Sequence, residues 1–407
     1  MNRKHEKDQL KILAITQYFP PDISGGSTRA YNYCKSISEQ GYDVTVITAY
    51  PHQHGPVPKE YKWKFMVKEK MENLTLFRVW IPSLLHTSIR NNLILLSTFL
   101  FTSLFPLFKT KPDIIILFEP NLFSIIPGYI YSKCRGGKII RVVDDLWPEI
   151  LYERGYIKSK FSKWILDRLT KFSYEFPKYL IPLNEEVKQV ICKDHNTPEE
   201  KIKSISHGID TKIFQYHEYK RREEFIVMYS GSLVESYDFD IIINAAKKLE
   251  NEKIKFIIRG KGKLLPHIKD LIKKLQVKNV VLDTDFIPLK ELSETLAKAD
   301  VFLSPMGKGK HLNFSLPTKI LEYQSVGRPI VCSSNGAIGK YIESTGSGIR
   351  TEHENVDDFI DAITKLMKDE ELCRKLGMQG RKNIEKFHDI GKIGEQLSDI
   401  IKKTIKE

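Results

Sequence analysis

Paired cysteines are what this 407-residue chain most plainly lacks. Its five cysteines, Cys34, Cys134, Cys192, Cys332 and Cys373, are odd in number and never spaced Cys-x-x-Cys, so neither a disulfide framework nor a zinc site is indicated. A reducing cytosol is the natural setting. The stretch Met1 to Gln9 is charged and has no apolar core, so a secretory signal is not expected there. The apolar run Leu93 to Phe108 falls short of the ~20 residues that span a bilayer and holds Pro106 near its end, so a transmembrane helix is not expected either. Acidic residues are outnumbered, 51 Asp and Glu against 64 Lys and Arg, and the net charge of +13 favours anionic partners: nucleotide phosphates, acidic lipid surfaces or nucleic acid. What is present is the composition of a folded protein, 41% hydrophobic and 11% aromatic. The length exceeds one ordinary core and fits two domains.

Along the chain the apolar runs are short and regularly interrupted. Lys11 to Thr16 predicts a buried strand, Gln17 to Ser27 a loop with Pro20, Pro21, Gly25 and Gly26, Thr28 to Gln40 a helix, and Val44 to Thr48 the next strand. This is the first unit of a doubly wound sheet. Gly25 and Gly26 before a helix would let a ligand reach the backbone at the positive helix end, although any tight turn could want the same pair. Pro51 to Met71 interleaves lysines with Tyr61, Trp63 and Phe65. It reads as a flexible surface segment, or as a membrane or acceptor contact, and not as a nucleic-acid module. Leu93 to Phe108, flanked by Arg90, Lys109 and Lys111, reads as a buried helix or as one partly inserted in a membrane interface. Ile114 to Phe118, Lys138 to Val143, Tyr179 to Leu183 and Ile202 to Ile205 predict further strands, with a helix after Glu119-Pro120-Asn121. Ligands of open α/β sheets sit at the carboxyl ends of strands, which gives weight to Asp144, Asp145 and Glu149 after Val143. Asp145 either caps the following turn or takes part in the chemistry.

A second sheet starts with Phe225 to Tyr229 and the turn Ser230-Gly231-Ser232-Leu233. Lys255 to Arg259 then leads into Gly260-Lys261-Gly262-Lys263, a plain turn or a contact to phosphate or base. Asp283-Thr284-Asp285 has a metal-binding spelling but supplies two ligands where an oxygen site needs several, so no metal is expected. Val301 to Leu303 leads to Met306 to His311, with Lys308 and Lys310. In Leu316 to Val331, Pro317 suits the first turn of a helix, Gly327 its end, and Ile330 to Cys332 a buried strand. Glu322 in mid-helix is either a solvated residue or an anchor for a vicinal diol such as a ribose. The free amides of Thr318 and Lys319 can receive an anion.

The string Pro317-Thr318-Lys319, then Glu322-Tyr323 and Gly327-Arg328-Pro329, resembles the donor-binding signature of family 4 glycosyltransferases, in the branch that includes L-fucosamine transferase-like enzymes. Gln17 to Asp22, Gly25 to Ala30, Asp145 to Glu149 and the Ser206 to Asp210 crossover resemble that family as well. The family carries a second Glu eight positions before the one matched by Glu322, and this chain has Phe314 there. The Arg and Lys that commonly follow the turn at Leu233 are also absent.

The resemblance implies an α/β protein of two Rossmann-like domains facing a cleft (the GT-B fold), divided at 1–205 and 206–388, with a helix over 389–407 crossing back to the first domain. It implies a retaining, metal-independent transferase that needs no cofactor and moves a sugar from a nucleotide-sugar, UDP-sugar above all, to a glycan or polyprenyl-linked acceptor in polysaccharide or glycoconjugate assembly. Glu322 would hold the ribose, and Thr318, Lys319, Gly231, Ser232 and Lys263 the phosphates. Gly25 and Gly26 would face the transferred group, with Asp145 as a catalytic or acceptor-positioning residue. The expected location is cytoplasmic, at an anionic membrane surface, with no nucleic-acid partner. A nucleotide-sugar epimerase and a degenerate, non-catalytic sugar-binding partner are the alternative readings.

Overall fold

Runs of Ile and Val, each followed by a loop and a half-apolar helix, build two separate sheets in the computed structural model, which describes residues 10–22, 24–52, 57–84, 88–118, 122–153 and 155–406. One compact unit is Met1–Gly208 together with Ile390–Glu407, and the other is Ile209–Asp389. The loop at Glu119, Pro120 and Asn121 lies outside the described residues.

The first unit runs β1 (Lys11–Ile15), α1 (Gly25–Glu39), β2 (Asp43–Ala49), β3 (Met66–Met71), β4 (Leu74–Val79), α2 (Ile89–Thr110), β5 (Ile114–Leu117), α3 (Ile125–Arg135), β6 (Lys138–Val143), α4 (Glu149–Glu153), α5 (Lys160–Glu175), β7 (Tyr179–Pro182) and α6 (Glu185–Asp194). Its strands lie in the order β3-β4-β2-β1-β5-β6-β7, and β3 alone runs antiparallel to its neighbour. Successive side chains of a strand point to opposite faces, so Ile12 and Ala14 feed one core while Leu13 and Ile15 feed another.

The second unit runs β8 (Phe225–Ser230), α7 (Phe239–Lys248), β9 (Ile254–Arg259), α8 (Leu265–Leu275), β10 (Val280–Asp283), α9 (Leu289–Leu296), β11 (Val301–Pro305), α10 (Thr318–Ser325), β12 (Ile330–Ser333), α11 (Ala337–Thr345), β13 (Gly348–Thr351), α12 (Val356–Lys368) and α13 (Glu370–Asn383). All six strands are parallel, in the order β10-β9-β8-β11-β12-β13. The order reverses between β8 and β11, which makes the carboxyl ends of those two strands the crevice of this sheet.

The chain then returns to the first unit as α14 (Ile390–Lys406). Its inner face, Ile393, Leu397, Ile400 and Ile401, is about 1% exposed and belongs to the core under β1. Each such side chain contributes about 1.5–3 kcal/mol of burial. Gly394 lets the helix close on α1, because a Cβ there would stand 2.9 Å from the Ser36 carbonyl oxygen. Lys138 Nζ donates to the carbonyls of Thr404 and Ile405 at 2.8 and 3.0 Å and so caps the negative end of the helix.

Four local expectations are corrected. The basic segment ending at Met71 contains β3, whose exposed Lys68 and Lys70 alternate with partly buried residues. An edge strand with one wet face needs little apolar character and is guarded by lysine. Ile202 to Ile205 makes only an isolated bridge, Leu180 to Ile202, and no strand. Helix α1 starts at Gly25 because Ser24 caps it, its side chain accepting from Ser27 N, so both glycines are inside the first turn. Helix α2 extends four residues before Leu93 and past Pro106, which makes it long and apolar enough to cross a membrane by length and composition alone. Its inner face, Leu95, Phe99 and Leu107, is fully buried against the sheet.

Candidate functional site

The end of β8 and the first two turns of α10 are bolted together by a tyrosine. Tyr323 Oη accepts from Ser230 N at 3.0 Å and donates to Ser230 O at 2.7 Å, satisfying both backbone groups where the strand ends. The Tyr323 ring is stacked on Phe302 of β11, with centroids 3.8 Å apart and planes 2° from parallel. Three elements are thereby fixed in register at the reversal point of the sheet.

Four residues before Tyr323, on the same face of α10, Lys319 reaches over the end of β8. Its ammonium donates to Tyr229 Oη at 2.6 Å, and Tyr229 Oη donates onward to the Ser232 carbonyl at 2.7 Å. The same Nζ lies 4.1 Å from the Tyr229 ring centroid and 3.7 Å from that of Tyr237, so two aromatic faces carry the cation in place of water. Gly231 lies directly beneath, at φ +154°, and a Cβ there would collide with the ammonium.

The glycines of the neighbouring turn have a different cause. A Cβ at Gly260 would meet the Gly231 carbonyl, and one at Gly262 the Leu233 carbonyl. Three backbone bonds stitch these turns: Gly231 N to Arg259 O, Leu233 N to Lys261 O, and Leu264 N to Leu233 O, at 2.9, 2.9 and 3.0 Å. The spacing Gly260-Lys-Gly-Lys is thus accounted for by loop packing, and Lys263 is left exposed beside the turn.

Electrostatically the centre of the site is poised. Burial pushes the Lys319 ammonium down to about 7, partly opposed by Glu322. Burial pushes the Glu322 carboxyl up to about 7, partly opposed by Lys319. The two are three residues apart on α10, half-buried, with no ion pair between them within 4 Å among the described residues. Thr318 Oγ1, at the start of the same helix, is a buried oxygen with no partner. The site therefore presents a cation held by one hydroxyl and two rings, a carboxylate, an orphan hydroxyl and a helix N-terminus.

Beside this centre a cavity of about 370 Å³ opens between the loops after β11 and β12, lined by Lys308, Asn313, Ser334, Asn335 and His353 among others. Among the described residues no acidic side chain lines it. Lys308, which lines this cavity, is paired with Glu354 at 2.9 Å. Asp283 is also engaged. It pairs with Arg259 at 2.5 Å and accepts from Asp285 N at 3.1 Å.

Gly231, Ser232, Thr318, Lys319 and Glu322 thus come together at one place in the second unit. Gly25, Gly26 and Asp145 belong to the first. Asp145 is exposed at the end of β6, and its neighbour Asp144 is ion-paired to the fully buried Arg29. Arg29 also donates to the Ile205 carbonyl at 2.7 Å and to Tyr33 Oη at 2.9 Å. Sequence reasoning missed Arg29, and it missed Tyr229 and Tyr237, whose only signal was aromatic character near a turn. Also missed was His52, buried near the same end of the first sheet. Its Nδ1 lies 2.7 Å from the Tyr50 carbonyl, its backbone N–H donates to Asp22, and Tyr18 stacks on its ring at 5.1 Å.

Two family models match in succession, "Glycosyltransferase Family 4" over residues 23–213 and "Glycosyl transferases group 1" over residues 211–383. The MMP alpha-(1->4)-mannosyltransferase of Mycolicibacterium hassiacum is 22% identical, over 97% of this chain and 98% of its own length. The chitobiosyldiphosphodolichol beta-mannosyltransferase of Debaryomyces hansenii is 24% identical, over 66% of this chain and 64% of its own. Among solved structures, sucrose-phosphate synthase from Thermosynechococcus elongatus is similar at a TM-score of 0.78 and 13% identity, covering 97% and 99% of the two chains. Anabaena HepE in complex with UDP-glucose is similar at 0.64 and 14%, covering 97% and 100%.

Proposed function

The chain belongs to the family 4 glycosyltransferases of GT-B fold, enzymes of glycoconjugate and polysaccharide synthesis, and from that premise we propose a retaining, metal-independent transfer of a sugar from a UDP-sugar to a glycan or lipid-linked acceptor. The observation that carries the donor half of this reading is the Lys319 ammonium lodged between Tyr229 and Tyr237 above Gly231, with Glu322 one turn further along α10. In this reading Lys319 takes the charge of the diphosphate in place of the Arg and Lys absent after Leu233. The Thr318 and Lys319 amides and the Thr318 hydroxyl complete the phosphate site, and Glu322 accepts from the ribose hydroxyls.

As the sugar leaves, negative charge grows on the diphosphate, and a cation and helix-end amides already in place stabilise it without reorganisation. The Asp-x-Asp spelling is not needed for this, since the Asp283 carboxylate is occupied by Arg259. The carboxylate-free cavity lined by Asn313, Ser334 and Asn335 suits a sugar read by amides and hydroxyls. Support for UDP comes from the UDP-glucose complex of HepE, and for a lipid-linked acceptor from the diphosphodolichol in the name of the Debaryomyces relative. Asp145 and the first-turn amides at Gly25 and Gly26 are the groups of the first unit assigned to the acceptor and the transferred sugar.

Calorimetric titration with UDP tests the donor site directly. Wild type should bind, and Glu322→Ala should lose about 1.5–3 kcal/mol of affinity while keeping its fold. Equal UDP affinity in a folded Glu322→Ala protein would remove that carboxylate from the site.

A further inference from the structure

Three helices of the first unit, packed side by side on one face of its sheet, turn an apolar and basic surface outward. Contacts within the layer set their order. Phe108 of α2 meets Tyr131 of α3 at 5.5 Å, and Tyr129 of α3 meets Phe172 and Phe176 of α5 at 5.1 and 4.8 Å. On α2 the outward residues fall at helical spacing, Leu93, Ser97, Phe101, Phe105 and Lys109. Phe101 is 75% exposed, and Phe105 47% exposed with the Lys109 ammonium 4.1 Å from its ring. The middle helix presents Ile126 and Ile130. On α5, Phe161 and Trp164 are stacked at 6.1 Å and are 68% and 55% exposed, with Arg168 over the indole at 5.4 Å. Phe65, edge-on to Phe105 at 5.7 Å, brings the fully exposed Trp63 to the same rim. Soluble surfaces scatter their large apolar residues singly and do not run them across three adjacent helices.

The charge on this face is predominantly positive. Helices α2 and α3 contain no Asp or Glu. Of the two acids on α5, Asp167 is bonded to Tyr152 Oη at 2.7 Å and Glu175 lies beside Lys171 at 3.6 Å. Lys109, Lys133, Arg135 and Lys160 are exposed without an acidic partner among the described residues. A second copy of the chain would bring the same cations against them, and lysine is depleted at protein interfaces generally. Aromatic rings with lysine and arginine around them match the headgroup boundary of an anionic bilayer, where rings enter the acyl edge and cations stay with the phosphates.

We propose that the α2-α3-α5 face docks this protein on an anionic lipid leaflet, with Phe101, Phe161 and Trp164 inserted and α2 lying in the plane of the membrane. The core-facing side of α2 stays on the sheet throughout, so the helix is held at the interface and does not span. This inference stands apart from the donor site, which is in the other unit.

The test is flotation of the full chain with phosphatidylcholine vesicles, with and without phosphatidylglycerol, at low and high salt. Wild type should float with the phosphatidylglycerol vesicles at low salt and be released by high salt, since exposed charges are screened. Lys109→Ala and Lys160→Ala should each lower partitioning about fivefold, the effect of one cation near an anionic surface. Phe101→Ser combined with Trp164→Ser should abolish flotation while the circular dichroism and thermal unfolding of the same protein are unchanged, which separates lost docking from lost folding. Failure of the wild type to float at low salt would overturn the proposal. A dimer in sedimentation velocity that Trp164→Ser dissolves would also overturn it and assign the face to a second copy. Lost UDP binding with intact flotation would sink the donor reading and leave this one standing.

Discussion

Tyr323 grips Ser230 by both of its backbone groups, as acceptor for the N–H and donor to the carbonyl. That grip sets the height of α10 against β8, and with it the distance between the Lys319 ammonium and the turn at Gly231. Tyr323→Phe should keep the stack on Phe302 but strand two backbone groups, costing about 1–3 kcal/mol of stability and weakening UDP binding together. Thermal unfolding and UDP titration on one sample check it. Intact affinity with reduced stability would show that the turn does not need this support.

Lys319→Met should have opposite effects on stability and function. An ammonium whose folded value is about 7 and whose unfolded value is roughly 10.4 binds fewer protons folded than unfolded between those limits, so stability rises with pH through that window. The cost of the buried charge is present in full below about 7. Removing it should raise the melting temperature most at or below neutral pH, by about 2–4 °C per kcal/mol recovered, with the gain fading towards pH 10. UDP affinity should fall at the same time. A variant that binds UDP as wild type does would assign the lysine a purely structural role.

UDP binding should peak near neutral pH. Above about 7 the free protein must take up a proton to charge Lys319, and below about 7 it must release one to ionise Glu322, whose raised value puts that loss on the acid side. Titrations in buffers of different ionisation enthalpy should therefore show net proton uptake on the alkaline side and release on the acid side. A flat profile between pH 6 and pH 8, taken as about one unit on either side of the shared value, would contradict both assignments.

Gly231→Ala should abolish donor binding, because the new methyl lands on the ammonium at a backbone angle that favours glycine. In the Lys319→Met background Gly231→Ala should cost less stability than it does in the wild-type background, a coupling that a double-mutant cycle reads directly. The same cost in both backgrounds would place the lysine away from the turn in solution.

Transfer activity should survive EDTA. The motivation is that Asp283 already holds Arg259 and that Lys319 offers charge at the diphosphate. Loss with the chelator and rescue by manganese would return the Asp283 to Asp285 segment to the mechanism.

Most of the parallel strands were legible because they are short Ile and Val runs buried on both faces, whereas β4 (Leu74–Val79) and the edge strand β13 (Gly348–Thr351), which lack such a run, were not. β3 was hidden, since an edge strand with a wet face carries its order in hydrogen bonds to β4 and not in hydrophobicity. At the site, Glu322 and Lys319 could be picked out by their place after the proline that opens the helix. The partners that define their chemistry could not. Tyr229 and Tyr237 come from a different element, and nothing in the local spacing of Tyr237 announces a ring over a lysine some eighty residues away. Arg29 was invisible for the same reason, as its partners Asp144 and Ile205 are more than a hundred residues distant. The breadth of the apolar basic face escaped too, because one helix was read alone and the face exists only when α2, α3 and α5 lie side by side.

The return of α14 bears on how the molecule is made. The seventeen residues of α14 are translated after the whole second unit, yet they complete a core whose other parts are synthesised before it, and Lys138 waits for the Thr404 and Ile405 carbonyls. On the ribosome the second unit can close as soon as it emerges, while the first holds Ile12, Ala14, Ile37 and their neighbours without a lid until α14 follows. A chain cut before Ile390 would therefore fail in the half that had been translated longest, and a chaperone that shields apolar surface would find its work in the unit made first.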